Sequence, residues 1–159
     1  MCTLSRTIGP VTVLENFYEY QLCCRSLDIS LKPFEKAVHD RLRALPPATS
    51  PAEHVLARHA HDAFEDRATR TFPGVLTIDG ADTTDRDDAL GITTDARGRT
   101  VVSVYIADVA AWVDALDLWG AFTGRVATVY LPHQRRGMLP RKLAELCSLD
   151  VGDRRFATV

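Results

Sequence analysis

Hydrophobic positions in the first part of the chain repeat every three to four residues, which is the spacing of a helix with one buried face. The clearest run begins at Pro33, a residue type that favours the first turn of a helix. Phe34, Val38, Leu42 and Leu45 follow at helical spacing, and two consecutive prolines then end the run. The pattern therefore predicts a helix with one apolar face.

Two further helices are predicted on either side of this one. Residues 14–27 show partial helical spacing. In the stretch Ser50-Pro51-Ala52-Glu53, a serine N-cap precedes a proline at the first helical position and a glutamate at the third, which is a capping box. The helix that begins there is expected to continue to about Arg70, where a Phe-Pro-Gly turn follows.

After residue 74 the pattern changes to short runs of β-favouring residues. Strands are predicted at residues 75–78, 89–93, 100–107 and 126–131, with a hairpin loop at 95–99. Helices are predicted at residues 114–125 and 141–146. The order of elements predicts an α+β fold, in which a helical N-terminal segment (residues 1–71) precedes a mixed or antiparallel sheet with helices (residues 72–159).

Composition and charge limit the classes of function. The 159 residues are 46% hydrophobic and 25% charged, as in one ordinary globular domain or a piece of a larger one. The net charge of −2 provides no overall basic field, so any nucleic-acid site must be local. No apolar run is long enough for a membrane span and the N-terminus does not resemble a signal peptide, so we expect a cytoplasmic protein.

The four cysteines do not form a recognisable zinc or redox motif. They show neither C-x-x-C pairing nor a histidine at zinc spacing, and two of them are adjacent in sequence. We therefore expect reduced thiols, in agreement with a cytoplasmic location.

Five aspartates lie within ten residues, directly behind the first predicted strand: Asp79, Asp82, Asp85, Asp87 and Asp88. Carboxylates held about 4 Å apart repel by about 1 kcal/mol per pair in water, and several-fold more near a protein interior. A bound cation relieves this repulsion, and Mg²⁺ prefers oxygen ligands of this kind. The alternative is a solvated acidic turn, because loops rich in Asp, Thr and Gly are common turns.

A shared ion requires a change of chain direction inside the cluster. On a straight strand Asp79 and Asp85 would lie about 20 Å apart at ~3.3 Å per residue. The chain must therefore fold back between them, and Gly80 provides backbone freedom for this. The spacing does not match a calcium-binding EF-hand loop, which needs a glycine at its sixth position and a glutamate at its twelfth.

Four blocks of sequence in this half of the chain resemble the RNB catalytic domain of the ribonuclease II and ribonuclease R family. They are T-I-D-G-A-D-T-T-D-R-D-D-A-L, V-Y-I-A-D-V-A-A-W-V, V-Y-L-P and M-L-P-R-K-L-A-E-L-C-S-L, in the family's order, over residues 72–159. The resemblance implies a Mg²⁺-dependent exoribonuclease that hydrolyses single-stranded RNA processively from the 3′ end. The products would be nucleoside 5′-monophosphates, with RNA and not DNA as the partner.

The resemblance also implies roles for individual residues. By motif position, Asp79, Asp85, Asp87 and Asp88 would hold the metal and form the catalytic centre, while Tyr130 would stack on the 3′-terminal base. Asp82 has no role in the family pattern. Phosphodiester hydrolysis by two metal ions needs carboxylate ligands rather than a serine or histidine nucleophile, which agrees with these residues.

Several features depart from the family pattern. Tyr105 stands where the family usually has histidine, and Arg135-Arg136 lies in a segment that is usually more apolar; these arginines would either contact phosphate or lie in a solvated loop. The family's later arginine and glutamate lie beyond Val159, so we expect a truncated catalytic domain. Two alternatives remain, an inactive remnant that binds RNA or a partner protein, and an unrelated metal-dependent phosphohydrolase.

Three side chains outside the acidic cluster have a structural and a functional interpretation. Trp112 and Trp119 are expected in the core rather than as platforms for bases. Asp108 is expected to make structural hydrogen bonds rather than to ligate a metal.

Overall fold

The structure is a computed structural model that describes residues 3–4, 6–59, 75–81, 83–122, 127–151 and 155–158. The described part contains five helices: α1 (Leu14–Cys24), α2 (Lys32–Arg43), α3 (Pro51–Arg58), α4 (Val109–Ala115) and α5 (Arg141–Cys147). It also contains six strands: β1 (Val75–Leu76), β2 (Asp88–Thr94), β3 (Thr100–Ala107), β4 (Val129–Leu131), β5 (Gln134–Arg136) and β6 (Ala157–Thr158). The predicted α+β class is confirmed.

The strands form two antiparallel groups. The larger sheet has the order β1-β2-β3-β6, and β4 and β5 form a separate hairpin. The central pair of the sheet is in register with Asp88 opposite Ile106 and Thr94 opposite Thr100. The loop between them is closed by Asp95, whose carboxylate accepts hydrogen bonds from two backbone amides at 2.9 Å, and by Gly98 at φ +75°. The predicted hairpin at 95–99 is thereby confirmed.

The two faces of the larger sheet differ in burial. Ala89, Gly91 and Tyr105 are buried on one face. The opposite face presents apolar side chains that are about half exposed: Leu76, Ile92, Val102, Val104 and Ile106. A strand with one buried and one exposed face is expected from the alternation of side chains.

Replacing Gly91 by alanine is expected to destabilise the fold by about 1 kcal/mol, because overpacking a buried site strains its neighbours. A Cβ atom at this position would lie 3.0 Å from Cε2 of the buried Tyr105 ring. Urea denaturation measures the change, and Gly120→Ala is the matched control because a Cβ there meets open space. Equal stability of the two variants would contradict the packing described here.

One hydrophobic core joins both halves of the chain. Phe34 and Val38 of α2 and Val55 of α3 are fully buried in the same cluster as Trp112 and Leu143. The ring of Trp112 also meets Phe156 edge to face, with centroids 5.7 Å apart. The N-terminal helices therefore support the region that follows them.

Side-chain caps fix the starts of two helices. At α3, the Ser50 hydroxyl accepts a hydrogen bond from the Glu53 amide at 3.2 Å, and the Glu53 carboxylate accepts one from the Ser50 amide at 2.8 Å. The predicted capping box is confirmed. At α4, the buried Asp108 carboxylate accepts a hydrogen bond from the Ala111 amide at 2.9 Å. Its predicted structural role is also confirmed.

The helix predicted over residues 114–125 is wrong. The structure instead has α4 at Val109–Ala115, and Asp117 with φ +50° turns the chain directly after it. Leu118 reaches the core from this turn, whereas Trp119 is 55% exposed, so the expectation that Trp119 is a core residue is also wrong. Trp112, at 2% exposure, is in the core as expected.

Other predicted boundaries differ by a few residues. The first helix ends at Cys24 and is followed by Ser26 with φ +56°, while the strand predicted over 126–131 begins at Val129. The predicted C-terminal part of the third helix, up to Arg70, lies outside the described residues. Among the described residues, no helix has the length and apolarity that a membrane crossing requires.

Candidate functional site

Residues 79–88, here called the acidic loop, connect the edge strand β1 to β2. The chain turns back at Gly80, where the Thr83 amide donates a hydrogen bond to the Gly80 carbonyl at 3.1 Å. Because β1 pairs antiparallel with β2, the two ends of the loop lie side by side. The fold-back that a shared site requires is therefore present. Asp82 lies outside the described residues.

The segment that follows α5 is hydrogen-bonded to the backbone of the acidic loop. The Arg86 amide donates to the hydroxyl of the buried Ser148 at 3.0 Å, and the Leu149 amide donates to the Arg86 carbonyl at 2.8 Å. On the other side, the Ala107 amide donates to the Asp87 carbonyl at 2.8 Å. These hydrogen bonds fix the backbone of the loop at Arg86 and Asp87, so the neighbouring carboxylates start from a defined backbone position.

Two of the four predicted metal ligands are paired with arginines. Asp79, whose side chain is 17% exposed, lies 3.5 Å from Nε of Arg86, and Arg86 also bonds Asp150. Asp85 accepts two hydrogen bonds from Nη2 of Arg135, at 2.8 Å and 2.7 Å. The hydrogen bond from Arg135 holds the pKa of Asp85 below its usual range. Cationic side chains therefore neutralise part of the loop's charge.

Asp87 has the opposite electrostatic environment. Desolvation, followed by the negative charges of Asp85 and Asp88, raises the pKa of Asp87 above its usual range. The Asp79 carboxylate adds to this effect, and Arg135 opposes it. Desolvation and the negative neighbours both disfavour the charged form of Asp87, and a nearby cation would favour that form.

Neutralising Asp85 and Asp87 is expected to change stability in opposite directions. Because the pKa of folded Asp85 is lowered, its contribution is present above the unfolded pKa and is lost as pH falls. Asp85→Asn should therefore cost about 0.5–1 kcal/mol at pH 7. Because the pKa of folded Asp87 is raised, its ionisation destabilises the fold as pH rises, and Asp87→Asn should stabilise by a few tenths of a kcal/mol.

Urea denaturation without divalent ions measures both effects. The difference from wild type should become small below about pH 4 for Asp87→Asn, and only at lower pH for Asp85→Asn, because the pKa of folded Asp85 is lowered. If both variants change the free energy of unfolding in the same direction at pH 7, the two carboxylates do not have the opposite environments described here.

The donor chemistry of the loop fits Mg²⁺, because all four predicted ligands offer carboxylate oxygens. The negative charges of Asp85, Asp88 and Asp79 all raise the pKa of Asp87, after the larger effect of desolvation. Within the described ranges, however, no three or more His, Cys, Asp or Glu side chains are arranged so that they could hold a metal ion. The metal roles of Asp79, Asp85, Asp87 and Asp88 stay predictions.

Tyr130 lies on the β4–β5 hairpin, beside the acidic loop. Its side chain is 75% exposed, and it stands directly opposite Arg135 in the hairpin register. Asp85 is the main cause that raises the pKa of Arg135, and Tyr130 also contributes. Arg135 therefore connects the acidic loop to the residue predicted to stack on a base.

Helix α1 holds the same hairpin from the other side. Arg136 pairs with Glu19, and the ring of His133 stacks on Tyr18 with centroids 5.5 Å apart. The two arginines lie on β5 and form ion pairs, so the prediction of a loop is wrong, whereas the prediction of solvent exposure holds for Arg135. The hydrophobic pattern gives no signal for β5, although the two-residue Pro-His turn after Val129–Leu131 is compatible with a hairpin.

Cys147, the last residue of α5, precedes the segment that contacts the acidic loop but does not have the properties of a nucleophile. It is 4% exposed, and burial, with smaller effects of Asp108 and Asp87, raises the pKa of its thiol to about 12. A thiol with this pKa is not a thiolate at neutral pH, so Cys147 contributes to packing rather than to chemistry.

Comparisons with known proteins agree with these features. A family model described as the RNB domain matches residues 70–159. The chain is 40% identical over 116 residues to Exoribonuclease 2 of Yersinia enterocolitica, which is 65% of this chain and 18% of the relative. It is 41% identical over 123 residues to Exoribonuclease 2 of Sodalis glossinidius, covering 76% of this chain and 18% of the relative.

A relative with a different name aligns over more of the chain. Identity to Ribonuclease R of Mycoplasmopsis pulmonis is 31% over 145 residues, which is 89% of this chain and 18% of the relative. The chain thus spans about a fifth of the length of these curated relatives. Since the family match covers more than half of its residues, the chain belongs to the RNB-domain family of exoribonucleases.

Proposed function

We propose that this chain carries the metal-binding and base-stacking part of a Mg²⁺-dependent exoribonuclease centre. Its substrate is single-stranded RNA, which is hydrolysed from the 3′ end to nucleoside 5′-monophosphates. One observation carries the proposal: in a chain of the RNB family, the acidic loop and the hairpin with Tyr130 are linked through Arg135 and Asp85.

The acidic loop has the charge that this chemistry requires. Asp79, Asp85, Asp87 and Asp88 are the residues that would hold Mg²⁺, and desolvation together with the charges of Asp85 and Asp88 disfavours the ionised form of Asp87 until a cation is present. When bound, Mg²⁺ supplies charge neutralisation at the phosphate and lowers the pKa of a water nucleophile. The carboxylates would hold the cation in a fixed position, because the backbone of their loop is hydrogen-bonded on both sides.

The exposed ring of Tyr130 supplies the contact with the terminal base. Every base offers a π-face, so stacking tolerates any sequence and contributes about 1–3 kcal/mol per base. The antiparallel pairing of β4 and β5 presents this ring beside a cationic side chain. A base and its phosphate can therefore be held by one hairpin.

A cytoplasmic location and the absence of a DNA substrate belong to the same proposal. In the described part, Cys23, Cys24 and Cys147 are free thiols, which suits a reducing compartment.

A nuclease assay on the full chain tests the proposal. A 5′-labelled oligoribonucleotide, its deoxy counterpart and a chromogenic phosphoester are incubated with Mg²⁺, and again with a chelator. The proposal predicts stepwise shortening of the RNA from its 3′ end and release of nucleoside 5′-monophosphates, with Mg²⁺ only. Binding of RNA without cleavage would support the inactive remnant, and cleavage of the phosphoester alone would support the unrelated phosphohydrolase.

A further inference from the structure

We infer that Arg135 is a phosphate-binding residue for the RNA 3′ end, which Asp85 holds until a divalent cation occupies that carboxylate. The inference rests on the proposed function of the acidic loop as a Mg²⁺ site. It assigns a substrate contact to a residue outside the acidic loop, on strand β5.

The contact between Arg135 and Asp85 is close and engages both carboxylate oxygens. The two hydrogen bonds, at 2.8 Å and 2.7 Å, come from the same nitrogen, Nη2. A guanidinium has five N–H donors, so those on Nε and Nη1 do not serve Asp85. The Arg135 side chain is 44% exposed, and a ligand can reach it from solvent.

The same arginine lies beside the proposed base-stacking residue. Tyr130 and Arg135 are directly opposite in the β4–β5 ladder, where side chains of paired residues lie about 5 Å apart. A nucleotide whose base stacks on Tyr130 therefore has its phosphate within reach of the guanidinium. Arginine is well suited to phosphate because its planar donors match the phosphate oxygens.

A divalent cation at Asp85 competes with Arg135 for that carboxylate. Both oxygens of Asp85 accept hydrogen bonds from Nη2, and a second cation at the same carboxylate repels the guanidinium. A cation at Asp85 therefore weakens the ion pair and leaves the Arg135 guanidinium beside Tyr130 available as a hydrogen-bond donor to phosphate. Cation binding and binding of the RNA end are thereby coupled through one side chain.

The neighbouring arginine provides a matched control. Arg136 is on the same strand and carries the same charge, but successive side chains of a strand point to opposite sides. Arg136 pairs with Glu19 of α1 rather than with the acidic loop. A change at Arg136 therefore alters the charge of the hairpin without freeing Asp85.

Two measurements on the full chain test the inference. Calorimetry with MgCl₂, without RNA, compares wild type with Arg135→Gln and Arg136→Gln. Fluorescence anisotropy at saturating Mg²⁺ then measures affinity for a labelled oligoadenylate with phosphorothioate linkages at its 3′ end to slow hydrolysis. Arg135→Gln should bind Mg²⁺ about fivefold more tightly, since a competing ion pair of about 1 kcal/mol is removed. It should bind the RNA about tenfold more weakly, since a phosphate contact is lost.

Two further variants and the behaviour of wild type show whether the inference or the proposed function fails. Arg136→Gln should stay within about twofold of wild type for Mg²⁺. Arg135→Lys keeps the charge and the fold of the hairpin but lacks the planar fork, so its RNA affinity should lie between those of wild type and Arg135→Gln. If wild type takes up Mg²⁺ and Arg135→Gln matches it in both measurements, the inference is overturned while the proposed function stands. If wild type takes up no Mg²⁺, the proposed function fails and the inference fails with it.

Discussion

Replacing Asp88 by asparagine is expected to reduce RNA hydrolysis about a hundredfold or more, with little change in the fold. Asp88 begins β2 and is exposed at the end of the acidic loop. Its backbone pairs with Ile106, and this pairing does not depend on the side chain. The substitution therefore removes the carboxylate that we propose as a cation ligand and leaves the backbone pairing with Ile106 in place.

The rate of release of nucleoside 5′-monophosphates measures this effect. Asp40→Asn is the matched control, because Asp40 lies on α2 in an exposed ion pair with Lys36, away from the acidic loop. The control should retain wild-type rates. A wild-type rate for Asp88→Asn would show that this carboxylate is not part of the catalytic centre. Loss of activity in the Asp40→Asn control would indicate a general effect of charge.

Replacing Tyr130 by alanine is expected to weaken binding of the RNA 3′ end by about tenfold or more, because stacking contributes about 1–3 kcal/mol per base. The ring is 75% exposed, so its removal leaves no cavity in the core. Tyr130→Phe keeps the aromatic face and should bind nearly as well as wild type. Affinity is measured by anisotropy of a labelled oligoribonucleotide at saturating Mg²⁺.

A second exposed tyrosine allows a direct comparison. Tyr20 of α1 is 54% exposed but lies in the part of the chain before the family match. Tyr20→Ala should leave RNA affinity unchanged. Equal losses for Tyr20→Ala and Tyr130→Ala would indicate non-specific contact with an aromatic surface rather than a defined position for the terminal base.

The local elements of the fold could be predicted from the sequence where a short-range signal determines them. The capping box at Ser50 and Glu53 marks the start of α3, and the β-branched run at Thr100–Ala107 gives the bounds of β3. The helix predicted from Asp114 is wrong because Leu116, Trp119 and Phe122 have helical spacing, but Asp117 turns the chain after Leu116, and Leu118 enters the core while Trp119 is exposed. Spacing alone does not show where a turn interrupts a helical pattern.

The candidate site could be predicted only in part, for a related reason. The aspartates and Tyr130 belong to recognisable blocks of sequence. The contact between Asp85 and Arg135 joins residues that are 50 positions apart, and it depends on how the hairpin and the loop pack together. The same holds for Glu19 and Arg136, at a separation of 117. No local sequence pattern carries this information, so the ion pair between the acidic loop and the hairpin could be identified only from the structure.

Paramagnetic broadening by Mn²⁺ shows directly whether the acidic loop and the Tyr130 hairpin surround one divalent-cation site, because Mn²⁺ takes the same oxygen ligands as Mg²⁺. Amide resonances of the ¹⁵N-labelled chain are recorded during a titration with substoichiometric Mn²⁺, and excess Mg²⁺ is then added. We expect the strongest broadening at residues 79–88 and at Tyr130 and Arg135, and we expect Mg²⁺ to reverse it. Broadening spread evenly over the acidic surface, or centred elsewhere while these residues stay sharp, would contradict a shared cation site.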